Sequence, residues 1–164
     1  VFYNAFSVGM GYEKVFSENK SIQVLYNSYG YNMQSLDGPA ETVNSIVPEY
    51  RVYFRKNLDR DIDRCAFVGF FNECSISLLS PAGEDFAYEE QFLLERKRFI
   101  LSPGILIGKN TPIFKKAFFD IYVGAKYNFI HQKSKFTERG NETIEKSSFN
   151  KAGIRVGLNI GTYF

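Results

Sequence analysis

The chain has 164 residues, enough for one domain spanning 1–164, and its 45% hydrophobic content can furnish one sizeable buried surface. A formal charge of +2 with no lysine-arginine block argues against a nucleic-acid partner. Apolar runs stay well short of the roughly 20 residues that a membrane-spanning helix needs, and the longest, near Phe99 to Gly108, is interrupted by Ser102, Pro103 and Gly104.

The residues alternate instead. Phe2 to Glu13 opposes Phe6, Val8, Met10 and Tyr12 to Ala5, Ser7, Gly9, Gly11 and Glu13, the period-two pattern of a strand. After a short polar link at Phe16 to Lys20, Ser21 to Tyr31 is also strand-like. Its apolar face shifts near Tyr26, which a bulge or a displaced boundary would explain. A longer link, Asn32 to Ser45, leads to Ile46 to Arg55, where Tyr50, Val52 and Phe54 oppose Glu49, Arg51 and Tyr53.

Lys56 to Arg64 is a short polar link. Ala66 to Leu78 then sets Val68, Phe70, Cys74, Ile76 and Leu78 against Gly69, Phe71, Glu73 and Ser75. Cys65 and Cys74, nine positions apart on one extended segment, are separated by roughly 30 Å. A disulfide needs Cα atoms within about 7 Å, so two free thiols are expected. The link from Ser80 to Lys97 is long, although Tyr88 to Arg98 has the character of a strand extension, with a loop helix as the alternative. Phe99 to Lys109 opposes Phe99, Leu101, Ile105 and Ile107 to Ser102, Gly104 and Gly108.

Beyond the short link Asn110 to Lys116, Ala117 to Phe129 presents Phe119, Ile121, Val123, Ala125, Tyr127 and Phe129 on one face. The other carries Asp120, Tyr122, Gly124, Lys126 and Asn128. His131 to Ser148 reads as a third long loop. The pattern is cleanest in the final segment. There Ala152, Ile154, Val156, Leu158, Ile160, Thr162 and Phe164 oppose Lys151, Gly153, Arg155, Gly157, Asn159, Gly161 and Tyr163.

Alternation does not by itself say which face is inside, since a lipocalin-like soluble barrel hides its apolar face and a membrane barrel turns it to lipid. The polar face is rich in glycine, which suits a crowded narrow lumen. Its charges have both signs: Glu13, Glu49, Glu73 and Asp120 can pair with Arg51, Lys126 and Arg155. The terminal aromatic Phe164 has the form of a signal read by the outer-membrane insertion machinery. These features predict an all-β, transmembrane, antiparallel up-and-down β-barrel, with lipid against the apolar face and the seven charged residues as a structural lumen network.

Seven strands are predicted, at about 2–13, 21–31, 46–55, 66–78, 98–109, 117–130 and 149–164. Short turns and long loops alternate, and the long loops of such barrels are extracellular. The last strand then ends in the periplasm, while the first descends from outside. Bacterial single-chain barrels have even strand numbers. The expectation is therefore eight strands, the first lying upstream of Val1 or supplied by something else, in a mature protein from which a signal peptide has been removed.

The stretches Gly11-Tyr12-Glu13-Lys14, Pro48-Glu49-Tyr50-Arg51-Val52-Tyr53-Phe54 and Phe119-Asp120-Ile121-Tyr122-Val123-Gly124 carry a family resemblance, together with Arg155-Val156-Gly157-Leu158-Asn159-Ile160-Gly161. They resemble small outer-membrane β-barrel proteins of Bacteroidota, a family largely of unknown function. The resemblance implies a bacterial outer-membrane location and a further strand before the Gly-Tyr-Glu segment. It carries no catalytic residues.

Three pieces of chemistry compete with a purely structural role. His131, the sole histidine, has Ser134 and Glu138 nearby, and some small barrels are enzymes acting on lipid A or peptides at the extracellular rim. Asp59, Asp61 and Asp63 are spaced like the start of a calcium loop, but glycine is absent from the sixth position and Phe70 stands at the twelfth. A pore is disfavoured, because eight strands enclose only enough room for their own side chains. Apolar residues among the loop charges (Phe86, Tyr88, Phe92, Phe136, Ile144) offer contacts to a partner. The expectation is a non-enzymatic barrel without metal or cofactor, either a structural or accessory component binding other envelope proteins through its loops or wall, or a stand-alone surface barrel.

Overall fold

The computed structural model describes residues 6–17, 19–32, 40–55, 64–80, 91–114, 117–138 and 141–162. They form seven strands: β1 (Phe6–Ser17), β2 (Lys20–Asn32), β3 (Ala40–Arg55), β4 (Arg64–Ser80), β5 (Gln91–Phe114), β6 (Ala117–Glu138) and β7 (Asn141–Thr162). All lie in one sheet in chain order, each antiparallel to the next. This is the up-and-down meander that the alternating segments predict, and the strand number agrees.

The sheet curls, because side chains from strands far apart in its order touch one another. Arg155 on β7 reaches Glu49 on β3, Arg51 on β3 reaches Asp120 on β6, and Tyr53 on β3 reaches Glu13 on β1. Closure is nevertheless not attained by these strands. The pairing order begins at β1 and ends at β7, and no described residue of one pairs with the other. Seven alternating strands leave β1 and β7 running the same way, so an all-antiparallel seam between them is impossible without another strand.

Several boundaries differ from expectation, for one reason. Backbone pairing continues past the point where the apolar alternation fades, since strands satisfy N–H and C=O groups against a paired neighbour whatever their side chains. β3 starts at Ala40 rather than Ile46, with Glu41 opposite Tyr31 on one side and Leu79 on the other. The strand extension expected before Arg98 is present, β5 beginning at Gln91. His131 to Ser148 is not a loop but the paired end of β6 and β7, in register from His131 opposite Ser148 to Glu138 opposite Asn141. The face change suspected near Tyr26 does not occur. β2 pairs with β3 without a register shift, Ser21, Gln23 and Leu25 turning inward while Ile22, Val24 and Tyr26 stay exposed. Cys74 carries a free thiol on β4, and the side chain of Cys65 lies outside the described residues.

Candidate functional site

The concave side is charged and the convex side is apolar. Arg51 and Asp120 have no exposed surface, and Glu49 keeps 1%, whereas Ile154 and Ile160 are each 76% exposed and Val156 70%. A water-soluble domain distributes these residue types the other way round.

Strand periodicity positions the inner groups. Glu49, Arg51 and Tyr53 alternate inward along β3, as do Asp120 and Tyr122 along β6, while Arg155 points in from β7. Arg51 donates from Nε to Glu49 Oε1 at 2.5 Å and from Nη1 to Asp120 Oδ2 at 2.6 Å. Its guanidinium carbon sits 4.3 Å from the centroid of the Phe67 ring, so the cation also meets an electron-rich face. Asn110 Nδ2 donates to the other oxygen of Asp120 at 2.6 Å. Arg155 Nη1 reaches Glu49 Oε2 at 3.2 Å and stands over Phe71 and Tyr122 at 4.6 and 5.1 Å. Two arginines therefore share two carboxylates, and the cluster is electrically balanced.

Further clusters lie along the same inner face. Lys126 Nζ is 2.6 Å from Glu73 Oε2, and Ser75 Oγ donates to Glu73 Oε1 at 3.2 Å. Beyond them Arg98 Nη1 is 3.2 Å from Glu41 Oε1, with Ser77 also donating to that oxygen. Arg98 Nε donates to Gln132 Oε1 at 2.8 Å. Each cluster joins strands that are not neighbours: β3 to β6 and β7, β4 to β6, and β3 to β5.

All seven residues expected in the lumen network are on this face, in two clusters, with Glu13 accepting from the Tyr53 hydroxyl at 2.7 Å. Sequence reasoning missed Glu41 and Arg98, and did not assign Tyr53, Tyr122 and Asn110 to the network. A signal existed, since Glu41 shares the parity of Glu49, and Arg98 that of Gly104. Glu41 fell in a stretch read as a loop, and Arg98 stood at the first position of a predicted strand. Glycine provides the space: a Cβ on Gly104 would lie 2.4 Å from Phe71 Cζ and 2.6 Å from the Ala125 carbonyl oxygen.

The residues weighed for other chemistry are dispersed. His131 is exposed on the outer face, its Nδ1 2.8 Å from Ser148 Oγ, while Ser134 is buried on the inner face. The side chain of Glu138 lies outside the described residues, as do Asp59, Asp61, Asp63, Phe86, Tyr88, the side chain of Phe92, and Phe164. Among the described residues no group of three or more His, Cys, Asp or Glu is placed to hold a metal.

Compared with known proteins, the chain matches no family model, no curated protein and no solved structure. What it does must be read from this geometry: an inner face on which buried charges of both signs pair, and an outer face that exposes many aliphatic and aromatic side chains.

Proposed function

We propose that the chain is the greater part of an eight-stranded outer-membrane β-barrel, non-enzymatic, serving as a structural or partner-binding component of the bacterial envelope. The observation that carries the reading is the inversion of faces: Arg51, Glu49 and Asp120 are buried while Ile154, Val156 and Ile160 are bare. Hydrocarbon is the medium in which that exterior is stable, and a lumen is where the charges find one another instead of water.

Dimensions agree. The outward residues of β6 from Phe119 to Phe129 are all hydrophobic, ten steps of chain. At about 3.4 Å per residue that is roughly 34 Å of strand, which a tilt of about 40° projects to roughly 26 Å, against an apolar band of about 25 Å in such barrels. Aromatic rings mark the two ends of the band, with Phe16 stacked on Tyr50 at 6.1 Å between centroids, and Tyr127 edge-on to Phe129 at 5.1 Å. Polar residues also stand on the outer face: Lys14 and Lys109 are long side chains able to carry their ammonium groups to an interface, and Asn72 is exposed at mid-strand on β4 opposite Pro103.

An open edge cannot stand in hydrocarbon, because each unpaired backbone group costs several kcal/mol. The reading therefore requires a closing strand, antiparallel to both β1 and β7. Asn159 Nδ2 on β7, at the open edge, is one of several buried polar atoms without a hydrogen-bond partner, the others lying on β2, β3 and β5. An inward side chain of the closing strand is a suitable partner for Asn159 Nδ2. In this reading the filled lumen leaves the paired ends of β5, β6 and β7 as the surface offered to other envelope proteins.

Refolding the purified chain, with its closing strand, into dioleoylphosphatidylcholine vesicles tests the proposal. Protease-protected β-structure that migrates differently on gels before and after boiling is expected. A folded monomer, freely soluble without detergent, would overturn it and favour a lipocalin-like barrel.

A further inference from the structure

The register places three lysines side by side. Lys97 on β5 is directly opposite Lys133 on β6, and Lys133 is directly opposite Lys146 on β7. All three are exposed on the outer face. Directly opposed side chains in an antiparallel pair have Cβ atoms about 4.5–5.5 Å apart, and like charges there destabilise the sheet. The arrangement is stable when an anion sits among the three ammonium groups.

Local carboxylates fill that role only in part. Glu95 pairs with Lys97 at 2.8 Å and Glu142 with Lys135 at 2.6 Å, and among the described residues neither Lys133 nor Lys146 makes a salt bridge. The cationic surroundings hold the Glu95 carboxyl below its usual range, through the Lys97 hydrogen bond first and then the charges of Lys97, Lys135 and Lys133. A groove of about 420 Å³ runs between the lysines, with Phe99 and Ile76 among its lining residues. In the row beside the lysines, Ile76 and Phe99 are apolar, and the hydrogen-bonded His131 and Ser148 complete it.

Its height fits a lipid. Lys133 is four residues beyond Phe129 on β6, roughly 10 Å along the barrel axis at a tilt of about 40°. The polar layer that flanks the hydrocarbon is roughly 5–7 Å thick on each side, so the Lys133 backbone stands about 3–5 Å outside it, and flexible lysine stems turned back toward the membrane bring their ammonium groups to lipid phosphates.

We propose that Lys97, Lys133 and Lys146 form a docking site for the phosphate of an anionic membrane lipid, whose first acyl segment lies against Phe99 and Ile76. The proposal rests on the membrane-barrel reading and adds the class of lipid that the wall selects.

The test uses the closed barrel in a neutral detergent, titrated with dioleoylphosphatidic acid, dioleoylphosphatidylcholine or inorganic phosphate, and read by native mass measurement. Phosphatidic acid should be retained selectively. The triple variant Lys97→Gln, Lys133→Gln, Lys146→Gln should weaken its binding by about a hundredfold. Glu95→Gln, which removes a competing anion, should strengthen it. Lys14→Gln with Lys109→Gln, on the same outer face but far from the groove, should leave it unchanged. Equal retention by the wild type and the triple variant would overturn the proposal, as would an equal loss in the Lys14, Lys109 control. Displacement of the lipid by inorganic phosphate at matched concentration would also overturn it, assigning the site to the free ion. Failure here with intact insertion into phosphatidylcholine vesicles removes only the lipid site, whereas failure to insert removes the barrel reading as well.

Discussion

Nη1 of Arg51 lies 2.6 Å from Oδ2 of Asp120, a residue 69 positions further along the chain, and neither side chain is exposed. The pair bridges β3 and β6, which are separated in the sheet by β4 and β5. It fixes how tightly the sheet curls, which no adjacent-strand contact can do.

Removing the cation should therefore be costly. Arg51→Met leaves Asp120 with Asn110 alone and Glu49 with Arg155 alone, and breaking a buried pair from one side costs about 3–5 kcal/mol. Pairing the change with Asp120→Asn should return part of that loss, because an uncharged amide still accepts from Asn110. Urea unfolding in neutral vesicles measures both variants. A cost for Arg51→Met below about 1 kcal/mol would mean that the pair is screened by water rather than buried.

The outer face predicts the opposite sensitivity. Val156→Arg or Ile121→Arg should cost about 2–4 kcal/mol at the bilayer midplane. Asn159→Arg, on the inner face of β7, should cost clearly less. Equal tolerance at Val156 and Asn159 would reverse the assignment of faces.

Gly104 and Gly30 should respond differently to the same added methyl. At Gly104 the new Cβ would meet Phe71 Cζ at 2.4 Å and a backbone oxygen at 2.6 Å, whereas at Gly30 the nearest atom is 3.8 Å away. Gly104→Ala should therefore destabilise by about 1–3 kcal/mol, as overpacking does. Gly30→Ala should be neutral or slightly stabilising through the unfolded chain. Chemical unfolding of the two variants side by side decides it.

The paired charges should also block conduction. With Glu49, Arg51, Asp120 and Arg155 filling one level and Glu73 with Lys126 another, planar bilayers containing the closed barrel should show no steady current. A stable ohmic channel of nanosiemens size would contradict a plugged lumen.

His131 should be dispensable for any chemistry on lipid A. Its ring is turned outward onto Ser148 at 2.8 Å, while Ser134, the serine closest to it in sequence among those weighed for catalysis, lies on the other side of the sheet. His131→Ala should leave the lipid A profile of the cell unchanged, and an altered profile would reopen the enzymatic reading.

Much of this was legible in the residues. Ile154, Val156 and Leu158 against Arg155 and Gly157 announce a strand and its two faces, because a period of two is imposed by the backbone and survives any tertiary context. The charged set on the inner face followed from the same parity. Glu41 and Arg98 escaped because polar residues on both faces end the pattern, while the paired backbone runs on. Leu25, beside Tyr26, blurred the faces of β2 because the inner face also accepts an aliphatic side chain wherever Val47 offers it a neighbour.

Chain chemistry alone determined the strands, their number, their up-and-down order and the sorting of side chains into two sets, since each depends on residues a few positions apart. Which carboxylate meets which cation was decided only in three dimensions. Arg51 chooses Glu49 and Asp120, Arg155 shares Glu49, and Lys97, Lys133 and Lys146 fall into one row, because register and curl set distances between strands that local periodicity does not contain.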